Sequence, residues 1–154
     1  MLPLLLLLVS FVLAAPGSAG PALTGCPSDA ICQSAYFVSQ QKYTFNDAND
    51  YCKSHGASLT SVHNAAEEAV IEELSKNAGV QFAWLGGALD QSGNGYWLDG
   101  SSFDYTNWYP TFPLKPASTT YIVLNTVRDA AADHGWLNMG TPGFKFAALC
   151  KLSS

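Results

Sequence analysis

The side chains that could do acid–base, nucleophilic or metal chemistry are few. Three histidines, His55, His63 and His134, could in principle meet as zinc ligands, but their spacing carries no ligand signature. Serine, histidine and aspartate are all present, yet no Gly-x-Ser-x-Gly elbow frames a nucleophile. No glycine-rich phosphate loop follows a strand. Asp129, Asp133 and His134 cluster ahead of Trp136, where a metal or an acid–base pair competes with the plainer reading of a solvated loop. Glu67, Glu68, Glu72 and Glu73 read as the solvated face of a helix. An enzyme is therefore not expected, and a small extracellular hydrolase is the remote alternative.

Recognition has better material. Tyr105, Trp108, Tyr109 and Phe112 crowd one proline-rich stretch, residues 101–119, which has little periodicity. A long segment of that kind in a compact domain is functional or unusually well packed. Aromatic rings there could stack on the apolar face of a sugar or anchor a protein partner. Tyr109 and Phe112 are the candidate ligand contacts. An acidic net charge of −5 without runs of Lys or Arg excludes nucleic acid and anionic lipid surfaces.

The elements that must position these residues can be read in order. Leu2 to Leu13 is almost wholly apolar and is followed by small residues, the pattern of a secretory signal peptide at 1–19, with Ala14 or Ala15 as the alternative cleavage point. The run is too short to span a membrane, so no membrane insertion is expected after its removal. A secreted location makes the even cysteine count meaningful. Cys26, Cys32, Cys52 and Cys150 allow three pairings, and the spacing favours a short Cys26–Cys32 loop and a long Cys52–Cys150 clasp. Charged residues are only 12% of the chain, against ~25% in average domains, which suits an extracellular surface. Residues 20–35 read as an N-terminal segment carrying the short disulfide loop, and 36–154 as one domain.

Tyr36–Val38 is a strand candidate. Thr44-Phe45-Asn46-Asp47 is a capping box for a helix ending at His55-Gly56. Ser58–Val62 reads as a strand, and Asn64 caps a second helix that ends over Lys76 to Gly79. Beyond Phe82 the pattern changes to short strands: Phe82–Leu85, Gly95–Leu98, Tyr121–Leu124, Gly135–Leu137 and Phe144–Leu152, with Asn94-Gly95 and Asp99-Gly100 as turns. Helices first and strands after is an α+β signature, with two helices flanking small antiparallel sheets.

Six of these features stand in an order that resembles a known family. They are Cys52-x-x-x-Gly56-Ala57-x-Leu59-x-Ser61-Val62, the Glu-bearing second helix, Trp84-Leu85-Gly86-Gly87, Tyr96-Trp97-Leu98-Asp99-Gly100-Ser101, Tyr105-Thr106-Asn107-Trp108, and Trp136 followed by Phe146 to Lys151. The chain resembles the C-type lectin-like domain over Tyr36 to Leu152. The resemblance implies that Cys52–Cys150 is the family's universal disulfide and that Gly86 and Gly87 allow close approach of a neighbour. It places the family's second disulfide at Tyr121 and Thr141, where both cysteines are missing, so packing around Tyr121 is expected to hold the loop.

The family's calcium–sugar triplet corresponds to Phe112-Pro113-Leu114, with Pro113 as its cis proline, and the late ligand pair to Leu137-Asn138. Calcium takes six to eight oxygens, and Asn138 is the one surviving donor. No cofactor is expected and calcium is not expected at that site. Tyr109, Phe112 and Asn138 are the candidate ligand residues, and the expected partner is a glycan or an extracellular protein.

Overall fold

The computed structural model describes residues 26–127, 134–140 and 143–153. The expected signal peptide, residues 20–25, Asp129, Asp133 and Thr141 lie outside them. Ala30–Gln33 (β1) and Tyr36–Tyr43 (β2) pair as an antiparallel hairpin. Both expected disulfides, Cys26–Cys32 and Cys52–Cys150, are formed.

Helix α1 spans Phe45–Ser54. The Thr44 hydroxyl accepts from the Asp47 N–H at 3.3 Å and donates to its carboxylate at 2.7 Å. Asp47 thus bonds the cap's hydroxyl rather than its backbone N–H. Gly56 ends the helix at φ +67, a conformation cheap only for glycine. Ala57–Leu59 (β3) is shorter than the sequence pattern predicts. Asn64 caps α2, Ala65–Asn77, its side-chain oxygen accepting from the Glu67 N–H at 2.9 Å.

The remaining strands are β4 (Phe82–Leu89), β5 (Gly95–Trp97), β6 (Thr120–Asn125), β7 (Gly135–Gly140) and β8 (Phe146–Leu152). Their order is β1-β2-β8-β4-β6-β7, with β3 joined to β8 and β5 to β4. The expected small antiparallel sheets are in fact one mixed assembly. Parallel pairing of β4 with β8, Ala83 to Ala147 and Trp84 to Ala148, joins them.

Alternation along β4 sends successive side chains to opposite faces. Ala83 and Leu85 meet α2, Trp97 and Trp136 in one core, while Trp84 meets α1 and Cys52 in the other. Trp84 is fully buried and its indole N–H donates to the Tyr43 carbonyl at 2.8 Å. Gly86 lies within β4. Its N–H donates to the Thr60 carbonyl, and a Cβ there would overlap the Leu59 carbonyl. No helix among the described residues is long and apolar enough to cross a membrane.

Candidate functional site

The stretch 101–119 leaves β5 through Gly100, at φ +77, and returns at β6. Hydrogen bonds fix its first residues. Asp99 accepts from the Ser101 N–H at 2.9 Å and from the Ser61 hydroxyl at 2.6 Å. Burial works to raise the Asp99 pKa, but these donors outweigh it and hold the group below the usual carboxylate range. His63 Nδ1 lies 2.8 Å from Asp104, and its Nε2 lies 3.2 Å from the Ser61 hydroxyl.

A serine, a histidine and an aspartate are therefore aligned, a juxtaposition the sequence did not reveal. It is not a nucleophile. Ser61 is 3% exposed and its proton is directed to Asp99, so His63 has no proton to take and a substrate has no access. The three histidines stay apart in their contacts. His55 meets the Tyr51 carbonyl, His63 meets Asp104, and His134 approaches Glu72. No group of three or more metal-ligating side chains gathers among the described residues.

The middle of the stretch docks along the outer edge of β7. The Trp136 N–H donates to the Asn107 carbonyl at 2.7 Å, and the Tyr109 N–H donates to the Trp136 carbonyl at 2.9 Å. Trp108 and Tyr105 set their rings nearly perpendicular to the Trp136 indole at 5.7 and 5.8 Å. At Gly135 a Cβ would lie 2.7 Å from the Tyr109 nitrogen, so the backbone passes only because the residue is glycine.

Beneath Trp136 lies a carboxylate. The indole N–H donates to both oxygens of Glu68 at 2.9 and 3.0 Å, and the Asn107 amide reaches Glu68 at 3.4 Å. Glu68 is 2% exposed. Burial raises its pKa to about 7 against the opposing pull of those donors, and Glu72 adds like-charge repulsion. Glu72 is itself buried. It pairs with Lys76, and His134 Nδ1 stands 3.0 Å away, too poorly aligned for a hydrogen bond. The expectation of a solvated acidic face is therefore wrong for these two residues. Glu68, Ile71, Glu72 and Ser75 form one stripe at three- and four-residue spacing, and that stripe faces the core. The spacing was visible in the sequence, whereas the indole that covers it lies 68 residues away.

At the tip, Phe112 donates its N–H to the Tyr109 carbonyl at 2.9 Å around Thr111, at φ +75. The Phe112–Pro113 peptide is cis. Asn138, 5% exposed, accepts from the Leu114 N–H at 2.7 Å, returns an N–H to the Leu114 carbonyl at 2.8 Å, and donates to Thr120 at 3.1 Å. Tyr121 does not hold this loop as expected. Its ring stacks on Phe45 of α1 at 3.8 Å, on the other side of the sheet, so the Asn138 clamp and the Trp136 edge take that role. Tyr109 and Phe112 are partly exposed, and Leu114 is 54% exposed.

Comparison with known proteins agrees with this geometry. The sequence profile described as "Lectin C-type domain" matches residues 41–151. A type-2 ice-structuring protein of Osmerus mordax is 33% identical over 100 residues, covering 63% of this chain and 57% of its own length. Ladderlectin of Oncorhynchus mykiss is 44% identical over 64 residues, covering 40% of this chain and 34% of its own. The chain thus spans less than two thirds of the length of these relatives. Among solved structures, a calcium-independent type II antifreeze protein superposes with a TM-score of 0.62 at 23% identity, covering 81% of this chain and 92% of that one. At that identity the likeness is one of fold.

Proposed function

The chain belongs to the C-type lectin domain family, and from that premise we propose that it is a secreted, non-catalytic recognition domain that binds a glycan without calcium, through the aromatic tip of its long loop. The observation that carries this reading is the amide clamp. Where the family resemblance places ion ligands, Phe112 and Leu114 present hydrocarbon, and the Asn138 oxygen is already bonded to the Leu114 N–H. These groups do not fit a hard cation that needs six to eight oxygens. The clamp ties strand to loop directly, a job an ion bridge could otherwise do. Asn138 is then a positioning residue, and Tyr109 and Phe112 supply the contact surface. Secretion rests on the apolar leader at 1–19 and on the two disulfides.

A protein ligand is the second reading, favoured by the exposure of Leu114 beside Phe112. A glycan array probed with oxidised Gly20–Ser154, in calcium and in EDTA, tests the proposal. We expect binding that survives EDTA and falls at least about tenfold in Tyr109→Ala and in Phe112→Ala. Binding lost in EDTA overturns the calcium-free reading. Unchanged binding in both variants removes the aromatic tip from the site. An array blank in both arms overturns the glycan reading. Thermal hysteresis, measured because one relative is ice-structuring, then separates an ice surface from a protein ligand.

A further inference from the structure

A second candidate site lies away from β7 in the strand order, where β2 fails to pair evenly with β8. Val38 is opposite Leu149 and Lys42 opposite Ala147, so four steps along β2 match two along β8. The buried Ser39 closes this irregularity. Its hydroxyl accepts from the Ala148 N–H at 2.8 Å and donates to the Gln41 carbonyl at 2.7 Å. Gln40 and Lys42 of this irregular stretch take part in lining a cavity of about 400 Å³. That falls within the range of small-molecule pockets, ~300–1,000 Å³.

Its wall is part carbon and part polar: Ala78 and Val80 after α2, Phe82 of β4, and Phe146 and Ala147 of β8 supply the carbon, and Gln40, Lys42, Gly79 and Gln81 the rest. Phe82 and Phe146 lie 5.6 Å apart, and Phe144, 52% exposed, stacks parallel on Phe146 at 6.1 Å. The rim is firm. The Thr126 hydroxyl donates to the Val80 carbonyl at 2.8 Å, and the N–H groups of Ala78, Gly79 and Val80 cap the last carbonyls of α2. That capping reduces the partial negative charge the helix end turns towards the cavity. Among the described residues Lys42 is the only charged side chain in the lining, in a chain of net charge −5. Neither its ammonium nor the Gln40 and Gln81 side-chain amides has a partner among the described residues.

We infer that this cavity binds a small monocarboxylate with an aromatic or short alkyl tail, the tail against Phe82 and Phe146 and the carboxylate on Lys42. A pair of aromatic rings and one unpaired lysine in the same lining suit that chemistry better than a neutral sugar or a polyanion. The site is separate from the aromatic tip, which docks on β7 with β4 and β6 between.

The test is a titration of the ¹⁵N-labelled oxidised protein with 4-phenylbutyrate, with 4-phenylbutanamide as its neutral counterpart. We expect saturable amide shifts centred on Gln81, Phe82 and Ala147. Affinity should fall about tenfold for the neutral compound and for Lys42→Gln, in line with loss of a charge-assisted hydrogen bond. Ala78→Trp should abolish the shifts by filling the cavity. Position 78 has φ −80 and ψ −3, which tryptophan accepts. If Ala78→Trp does not fold, the Lys42→Gln comparison decides alone. Absence of saturable shifts at millimolar ligand overturns the inference. So does equal affinity for the acid and the amide, and so do shifts centred on Tyr109 to Leu114.

Discussion

Burying Glu68 under Trp136 makes one carboxyl sensitive to pH in a range where ordinary carboxylates are already ionised. Its pKa is about 7 in the folded protein and about 4.5 when unfolded. Between those values the folded state holds the proton more tightly. Stability is therefore greatest below about pH 4.5 as far as this group is concerned, falls as pH rises towards 7, and levels off above it. The full difference is about 3 kcal/mol at most, a large share of a typical folding free energy of about 5–15 kcal/mol. Glu68→Gln keeps an oxygen to accept from the Trp136 indole and carries no charge. It should be more stable than the parent by about 2–3 kcal/mol at pH 8, with the two converging near pH 4.5. Urea midpoints across that range measure it, and parallel curves for the two proteins would show that Glu68 does not titrate there. Comparing variants isolates Glu68 from Asp99 and Asp104, whose hydrogen bonds lower their pKa values and which act at more acid pH.

One level up, the elements depend on close backbone passages. β4 runs so near the end of β3 that Gly86 N–H reaches the Thr60 carbonyl at 2.8 Å, while Leu98 N–H reaches the Gly86 carbonyl at the same distance. Gly86→Ala must separate those strands because its methyl would overlap the backbone of Leu59. A loss of about 3 kcal/mol is expected, at the upper end of overpacking penalties. A melting temperature within a degree or two of the parent would mean that β3 moves freely. The same contrast of local and distant contacts explains what the sequence discloses. Thr44 and Asn64 announce their helices because a cap and its acceptor N–H are three residues apart. The hydrocarbon at Phe112 and Leu114 is equally plain. Hidden are the Asn138 clamp, which needs the register of β7 against the loop, and the Tyr121–Phe45 stack, which reaches across the sheet. Glu68 misleads because its stripe is polar by residue type, and only a distant indole makes it interior.

For the molecule as a whole, the last strand is the central one. β8 lies between β2 and β4 and also carries β3, so the chain's final residues complete both cores. Cys52–Cys150 fixes that strand to α1 across 98 residues of sequence. In the chain-entropy view, a ring of about 100 residues destabilises the unfolded state by about 4.7 kcal/mol, most of a marginal domain's stability. Cys26–Cys32 closes a ring with a separation of only 6 and sits at the edge strand β1, for which the same relation gives about 2 kcal/mol. The two bonds should therefore differ in kind. Cys26→Ala/Cys32→Ala is expected to stay folded with a modestly lower melting temperature. Cys52→Ala/Cys150→Ala, or full reduction, should unfold the domain near physiological temperature, because β8 can then leave the sheet and take both cores with it. Circular dichroism melts of the two double variants decide this. An unmoved melt for Cys52→Ala/Cys150→Ala would mean that pairing with β2 and β4 holds β8 without the bond, and that the clasp serves some purpose other than stability.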